Sequence, residues 1–234
     1  KTDCDEFFMP TIDGLSTYWS LNFIPVVPAD RSARKSVALL AFEVSEAVTR
    51  SRTREAAIRI SAAAMSSLNL DETIRVVLDG LAYIAATNAA IIFLLEDDQW
   101  VGKAGYGEHS DEDVRKLRFP YEDLGSAVLA VEGKEVIPAA DLENDSRFNQ
   151  QLVNRLHARS SMVVPLVSGN RAVGVVYLTR TDDKREFTEE QVKFATIIGS
   201  HAALAIDNAL IYHNENVMRK SLEAVEVESA AGLV

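Results

Sequence analysis

Few residues in this chain could do covalent or metal chemistry. There is one cysteine, Cys4, and there are four histidines, His109, His157, His201 and His213. A metal needs imidazoles, thiolates or carboxylates at a spacing that brings them to one point, and these histidines show no such spacing. A single thiol excludes an internal disulfide framework and any cysteine-rich metal site, and fits a reducing compartment. The sequence holds no G-x-x-x-x-G-K-[ST], no G-x-S-x-G and no H-E-x-x-H. Gly102, Gly105 and Gly107 have the wrong spacing for a dinucleotide loop and read as a strand end and a turn. The chain is therefore read as a non-enzyme, with no catalytic residues.

His157 stands apart because it follows Leu156 directly before an apolar run. It is either a ligand to something in a cavity or a helix-end histidine helped by the helix dipole. The second is the commoner role of a lone histidine. His201 and His213 fall on the last predicted helix, about three turns apart, and read as surface or interhelical residues.

The bulk properties narrow the partners. The 234 residues carry a net charge of −11 and are 47% hydrophobic, enough for one good core with flanking elements. An acidic chain without a lysine and arginine cluster lacks the positive face that nucleic acid or an anionic membrane needs. No uninterrupted apolar run approaches the ~20 residues that span a bilayer, and the longest, 89–95, is strand length. No membrane insertion is expected, and a cytoplasmic location is. No initiating Met opens the sequence, which suggests a fragment of a larger protein.

Positioning elements follow from periodicity. Residues 17–27 and 37–44 are apolar runs around Pro28-Ala29-Asp30 and suggest a hairpin, one that needs more sheet or cover to be stable. From Ser45 the pattern becomes helical, with Ala57, Ile60, Ala64 and Leu68 on one face. Ile74, Val77, Leu78, Leu81, Ile84 and Ala85 mark a second amphipathic helix with Asp71 as its N-cap. Residues 90–96 and 100–104 pair through Asp97-Asp98. Short helices are expected at 111–116, at 124–131 closed by Gly133, and at 144–157; short strands are expected at 117–119 and 135–138. Residues 161–167 and 172–179 pair through a turn whose Gly169 and Asn170 supply positive φ. Thr188 and Gln191 fit a capping box that opens a helix to about Val227, long enough for a coiled-coil connector.

This order predicts an α+β fold. A central antiparallel sheet of five or six strands would carry the long N- and C-terminal helices on one face and the short helices on the other. The strings LDETIRVVLDGLAYIAATNAAIIFLL (70–95), GKEVIPAADLENDSRF (133–148), SSMVVPLVSGNRAVGVVYL (160–178) and FTEEQVKFATIIGSHAALAIDNALIY (187–212) together resemble the GAF family, over residues 55–213. Residues 18–52 are similar to the last two strands and exit helix of a PAS domain, with Ser45 where a Thr is usual and without the usual turn glycine. The resulting organisation is a PAS-like end at 1–45, a connector helix at 46–69, a GAF domain at 70–213 and a signalling helix at 214–234.

The resemblance implies a sensory module of a multidomain signalling protein, such as a two-component sensor histidine kinase or a PP2C-type phosphatase. It would bind a small ligand of unknown identity, or a partner, and relay the change through helices of a homodimer. The alternative is a ligand-free dimerisation spacer. Covalent bilin is disfavoured because Cys4 lies outside the domain, and haem would need His157 or His109 as axial ligand. The cyclic-nucleotide pattern N-K-x-x-F-x-x-x-D-E lacks its Asn and Lys at 179–190, although Arg147 or Arg159 could meet a phosphate. Methionine-sulfoxide reduction, which the same fold supports, needs cysteines the domain lacks. If a pocket exists, Phe93, Leu95, Trp100, Phe119, Leu124, Phe148, Leu156, His157, Met162, Val164 and Tyr177 are its candidates; packing into the core is the commoner fate of such residues. Ile60, Ala64, Ile206, Leu210, Val217 and Leu222 are the candidate dimer residues, with Ala209 and Val225 on the same stripe.

Overall fold

The computed structural model describes residues 5–10, 16–26, 36–44, 48, 51, 54, 55, 58 and 69–231. The chain divides into two compact units, Lys1–Arg54 and Glu55–Val234. In the first, β1 (Asp5–Pro10), β2 (Ser16–Val26) and β3 (Ser36–Glu43) form an antiparallel sheet in that order. The expected hairpin is β2 with β3, in a register that sets Val26 against Ser36 and Trp19 against Glu43. Strand β1 supplies the further sheet that a lone hairpin lacks; its short DEFFMP string gave too little alternation to be read as a strand. The predicted helical face Ala57, Ile60, Ala64 and Leu68 lies outside the described residues, as does Cys4.

The second unit opens with α1 (Leu70–Ala85). Its N-cap is Asn69 rather than Asp71: the Asn69 carboxamide oxygen accepts from the backbone N–H of Asp71 at 3.0 Å and of Glu72 at 3.3 Å. Asp71 and Glu72 instead place their charge in the first turn, where the helix dipole favours it. The periodic residues Ile74, Val77, Leu78, Leu81 and Ala85 are all buried.

β4 (Ala89–Glu96) and β5 (Gln99–Gly107) follow as a hairpin. Asp97 and Asp98 both take positive φ, at 48° and 58°, the turn whose twist matches the strands. After α2 (Asp111–Arg115), β6 (Arg118–Pro120), α3 (Gly125–Gly133), β7 (Ile137–Ala139) and α4 (Gln150–Arg155) come the long strands β8 (Ser160–Ser168) and β9 (Arg171–Arg180). The six strands make one antiparallel sheet in the order β6-β5-β4-β9-β8-β7. The last helix, α5 (Glu189–Ala231), opens as expected: Thr188 N–H donates to Gln191 Oε1 at 3.0 Å, and Gln191 N–H donates to Thr188 Oγ at 3.2 Å.

Three local expectations are corrected. The left-handed residue that ends α3 is Lys134, at φ 53°, not Gly133. The helix read at 144–157 is only α4. Asn149 caps it through Gln151 N–H and Leu152 N–H, while Asp141 and Asp145 hold the preceding residues in side-chain-bonded turns that compete with helix. In the β8–β9 turn Gly169 alone has positive φ, at 62°.

Strand alternation splits the interior in two. Ala90, Ile92, Leu94, Met162, Val164, Leu166, Val176 and Leu178 share a buried cluster with α1 and α5. Ile91, Phe93, Val163, Val175 and Tyr177 share the other with α2, α3 and α4. The long helices thus cover one face and the short helices the other, as the α+β reading predicts. Each fully buried aliphatic side chain contributes roughly 1.5–3 kcal/mol to this sandwich. Gly199 lets α5 lie close on β8, since a Cβ there would stand 2.6 Å from Val164 Cγ1 and 3.2 Å from the Pro165 carbonyl oxygen.

Gly199→Ala separates packing from propensity. Helix propensity alone predicts a gain of about 1 kcal/mol. Overpacking against a stiff β-branched neighbour predicts a loss of about 1–3 kcal/mol. We expect net destabilisation in urea unfolding; a stabilised variant would show that α5 does not bear on β8 this closely.

Candidate functional site

Two places on the short-helix side could receive a ligand. The first is the apolar interior under α3 and α4. It gathers Phe93, Trp100, Leu124, Phe148, Leu156 and Tyr177, with Leu95 and Phe119 half-buried against them. Their rings meet edge to face, Phe93 with Phe119 at 6.1 Å, Phe93 with Tyr177 at 5.9 Å and Phe148 with Tyr177 at 6.4 Å. The polar atoms are satisfied. The Trp100 indole N–H donates to the Tyr121 carbonyl at 3.0 Å, and the Tyr177 and Ser126 hydroxyls bond at 3.0 Å. Burial pushes the Tyr177 phenol well above its ordinary pKa. The space left between Phe148, Leu152, Leu156, Ser161 and Tyr177 is about 10 Å³, the limit for a single water. These residues fill the core. Met162 and Val164 face the opposite cluster with α1 and α5, because they lie one residue out of phase with Val163 along β8, so they cannot share a cavity with Phe93.

The second place is a groove of about 210 Å³ beside this core. Its walls come from the segment after β5 (Glu108, His109, Ser110), from α2 and Leu117 (Asp113, Val114), and from the end of α4 (Arg155, Leu156, His157). Gly102 and Gly105 of β5 build it, while Gly107 ends the strand at φ 66°. A Cβ on Gly102 would stand 2.0 Å from the Val114 carbonyl oxygen, and one on Gly105 would stand 2.3 Å from that of His109. These glycines therefore lie inside the strand, not at its end, and let the 108–117 segment rest directly on the strand backbone. Asp111 fixes the segment by accepting from Gly105 N–H at 2.9 Å and by pairing with Arg75 of α1. His157, at φ 49°, turns the chain out of α4; its N–H donates to the Asn154 carbonyl at 3.2 Å.

The two histidines singled out in the sequence thus line one groove. Nε2 of His109 is buried with no hydrogen-bond partner among the described residues. Burial holds the His109 imidazole below its ordinary pKa, the Glu108 carboxylate opposes this, and His157 adds to it. Both acids of the groove are already engaged. Glu108 accepts from Asn88 at 3.2 Å and from Thr181 at 2.9 Å. Asp113 accepts from the Ser110 hydroxyl at 2.7 Å, and that bond, with Lys116 nearby, lowers its pKa. No group of three or more His, Cys, Asp and Glu side chains that could hold a metal occurs among the described residues. A groove of this size falls below the roughly 300–1,000 Å³ of pockets for drug-sized ligands, so it has no room for a tetrapyrrole. Arg147 is committed to Asp145, which accepts from its Nε at 2.9 Å.

The remaining predicted residues lie on α5 or upstream of α1. Ile206 is fully buried in the core, Ala209 is buried too, and Leu210 is partly buried against that core. Val217 is exposed. Ile60, Ala64 and the side chains of Leu222 and Val225 lie outside the described residues. His201 and His213 are exposed on α5. The exposed row of α5 is instead Ile197, Leu204, Ile211 and Met218, at seven-residue spacing. An apolar stripe on this helix was legible, but which apolar row the sheet would use was not. Among the described residues, the segment Glu189–Ser221 is long and apolar enough to cross a bilayer, and half of its most apolar window is buried inside the domain.

A family model described as GAF domain matches residues 67–207. No curated protein sequence matches the chain. Among solved structures, the chain is similar to the GAF domain of a phosphoenolpyruvate-protein phosphotransferase from Coxiella burnetii, at 20% identity and a TM-score of 0.60 over 70% of this chain and 97% of that one. A methyl-accepting chemotaxis protein fragment matches at 18% identity and a TM-score of 0.55, over 65% of this chain and 97% of that one. The photosensory core module of a Stigmatella aurantiaca phytochrome matches at 14% identity and a TM-score of 0.56, over 92% of this chain and 47% of that one.

His109 makes stability depend on pH in a stated direction. Its folded pKa lies below the unfolded value of about 6.5, so as pH falls the unfolded chain takes the proton first. The contribution is complete above about 6.5 and is lost as pH falls through the folded value. Urea unfolding at pH values from about 7.5 to 5.5 is expected to show this loss, and His109→Gln to flatten it. An unchanged slope in the variant would remove His109 as the cause.

Proposed function

Because this chain belongs to the GAF domain family, whose members serve as signalling and sensory modules, we propose that it is the regulatory unit of a multidomain signalling protein. It binds a small ligand at the His109–His157 groove and passes the change through α5 to an output domain, such as a histidine kinase or a PP2C-type phosphatase. The unit is non-catalytic and works in the cytoplasm. The three-stranded sheet upstream is the end of a PAS domain of the parent protein.

The observation that carries this reading is the shape of α5. Its last fully covered residue is Ala209, yet the helix continues to Ala231. Along its outer side Ile197, Leu204, Ile211 and Met218 are 41%, 53%, 47% and 68% exposed. A repeat of seven on a helix of 3.6 residues per turn drifts only about 20° per heptad, so these residues form one seam. Such a seam is matched by a partner with the same period, and a second copy has it by construction. The partner is therefore a second copy of this chain, with the two α5 helices parallel. A ligand that favours one packing of the paired helices over another shifts their populations.

The collapsed core under α3 and α4 favours a second reading, a spacer that dimerises without a ligand. Thermal shift against a metabolite library separates the two, since a ligand at a hundred times its Kd adds about 2.7 kcal/mol. Concentration-dependent stabilisation supports the sensor, and none across the library supports the spacer.

The dimer has its own test. Light scattering at high micromolar concentration should give twice the chain mass. Leu204→Glu and Ile211→Glu should halve it while leaving the folded circular dichroism spectrum intact, since both residues are solvent-facing in the single chain. A wild-type monomer would refute the paired helices.

A further inference from the structure

We propose that the His109–His157 groove takes a small organic carboxylate, held by His109, His157 and Arg155 with its short apolar chain against Val114, Leu117 and Leu156. This deepens the sensor reading and rests on it.

The polar groups of the groove that lack partners decide the ligand. Two acids and one arginine line it, which at first favours neither sign. The acids, however, already have partners: Glu108 accepts from Asn88 and Thr181, which leave its charge in place, and Asp113 accepts from Ser110 and pairs with Lys116. Arg155, by contrast, has no hydrogen bond or ion pair among the described residues and only a through-space interaction with Asp113. The buried Nε2 of His109 has no hydrogen-bond partner among the described residues. Leaving such a nitrogen unmet is costly, and a ligand oxygen would meet it. The unspent polar groups are thus a guanidinium and two imidazoles, all able to donate to an anion. A metal is not favoured, because two imidazoles without a third ligand do not close a site. A bare phosphate would leave the apolar wall unused.

The site also has a route to the signalling helices. The α2 wall is tied to α1 by the Arg75–Asp111 pair, and Arg115 lies 3.6 Å from Asp71. Helix α1 in turn packs on α5 in one core. A carboxylate drawn between α2 and the end of α4 pulls on a segment already bonded to α1.

Proton linkage gives the proposal a signature. The imidazole of His109 faces Glu108 from its own segment, Asp113 from α2, and Arg155 and His157 from the end of α4. A carboxylate arriving there favours the charged His109 imidazole, so binding takes up a proton and tightens as pH falls.

The experiment uses the whole chain, imidazole carbon–proton NMR and calorimetry, with isovalerate, succinate, neutral isovaleramide and inorganic phosphate as probes. At least one of the two carboxylates should shift the His109 and His157 signals saturably, about tenfold more tightly near pH 6 than near pH 8. Isovaleramide, equal in shape but uncharged, should not shift them. Arg155→Gln, at an exposed helix end, should weaken binding at least about tenfold without lowering the melting temperature. Phosphate binding without carboxylate binding overturns the ligand class. No saturable shift with any probe overturns the site. Shifts indifferent to Arg155→Gln or shared by the amide overturn the recognition. None of these outcomes alters the light-scattering or library result, so failure here is distinguishable from failure of the sensor reading.

Discussion

The structure depends on one constraint, that the central strands serve two cores at once. Ile92 and Phe93 are adjacent in sequence, both wholly buried, and belong to different clusters. The same holds for Met162 and Val163, and for Val176 and Tyr177. A strand buried on both sides has no solvent face to absorb an error, and a slip by one residue would exchange the two cores. The register must therefore be fixed by turns: the Asp97-Asp98 pair and Gly169 set the two hairpins, and the pairing of β4 with β9 locks them together. Everything outside the sheet is placed by which cluster it completes.

That constraint explains what was legible and what was not. Helix α1, both hairpins and the Thr188–Gln191 capping box could be read directly, because each rests on local periodicity or on a cap three residues away. The family strings also placed the fold. The failures occur where a competing side chain or the finished packing overrules the apolar spacing. Asp71 satisfies the rules for a cap, but Asn69 stands one turn position better placed. Residues 144–157 have helical apolar spacing, yet Asp141, Asp145 and Asn149 each spend a side chain on the backbone and shorten the helix to α4. Met162 and Val164 were drawn into the candidate pocket because position along a strand does not say which face is which. Ile206 is an apolar residue on a long helix, and only the finished sheet shows that it is consumed by the core.

The glycines of β5 carry the same lesson for the site. In sequence, Gly102, Gly105 and Gly107 signal a break. In the fold Gly107 does end β5, but Gly102 and Gly105 are mid-strand positions where a second backbone lies at a distance no side chain would permit. The absence of two Cβ atoms, at Gly102 and Gly105, brings Val114 and His109 onto the sheet, and so opposite the end of α4. No motif announces this, since the groove is defined by what the glycines lack. The legible part was the pair of histidines, both noted as the domain's candidates for ligation, although nothing in their separation along the chain says that they meet.

A filled interior and an open flank together say how such a domain could report a ligand. Opening the space among Phe148, Leu156 and Tyr177 would mean separating packed aromatic rings and exposing a hydroxyl pair buried between Tyr177 and Ser126, a change resisted by the whole core. The flanking groove needs no such opening. Its walls are a five-residue helix and the end of a six-residue one, elements too short to be stable alone and held by a few side-chain bonds. One of those bonds, Arg75 to Asp111, ends on α1. Because α1 and α5 share a single cluster, a displacement of α2 reaches the long helix through one ion pair and one packed interface.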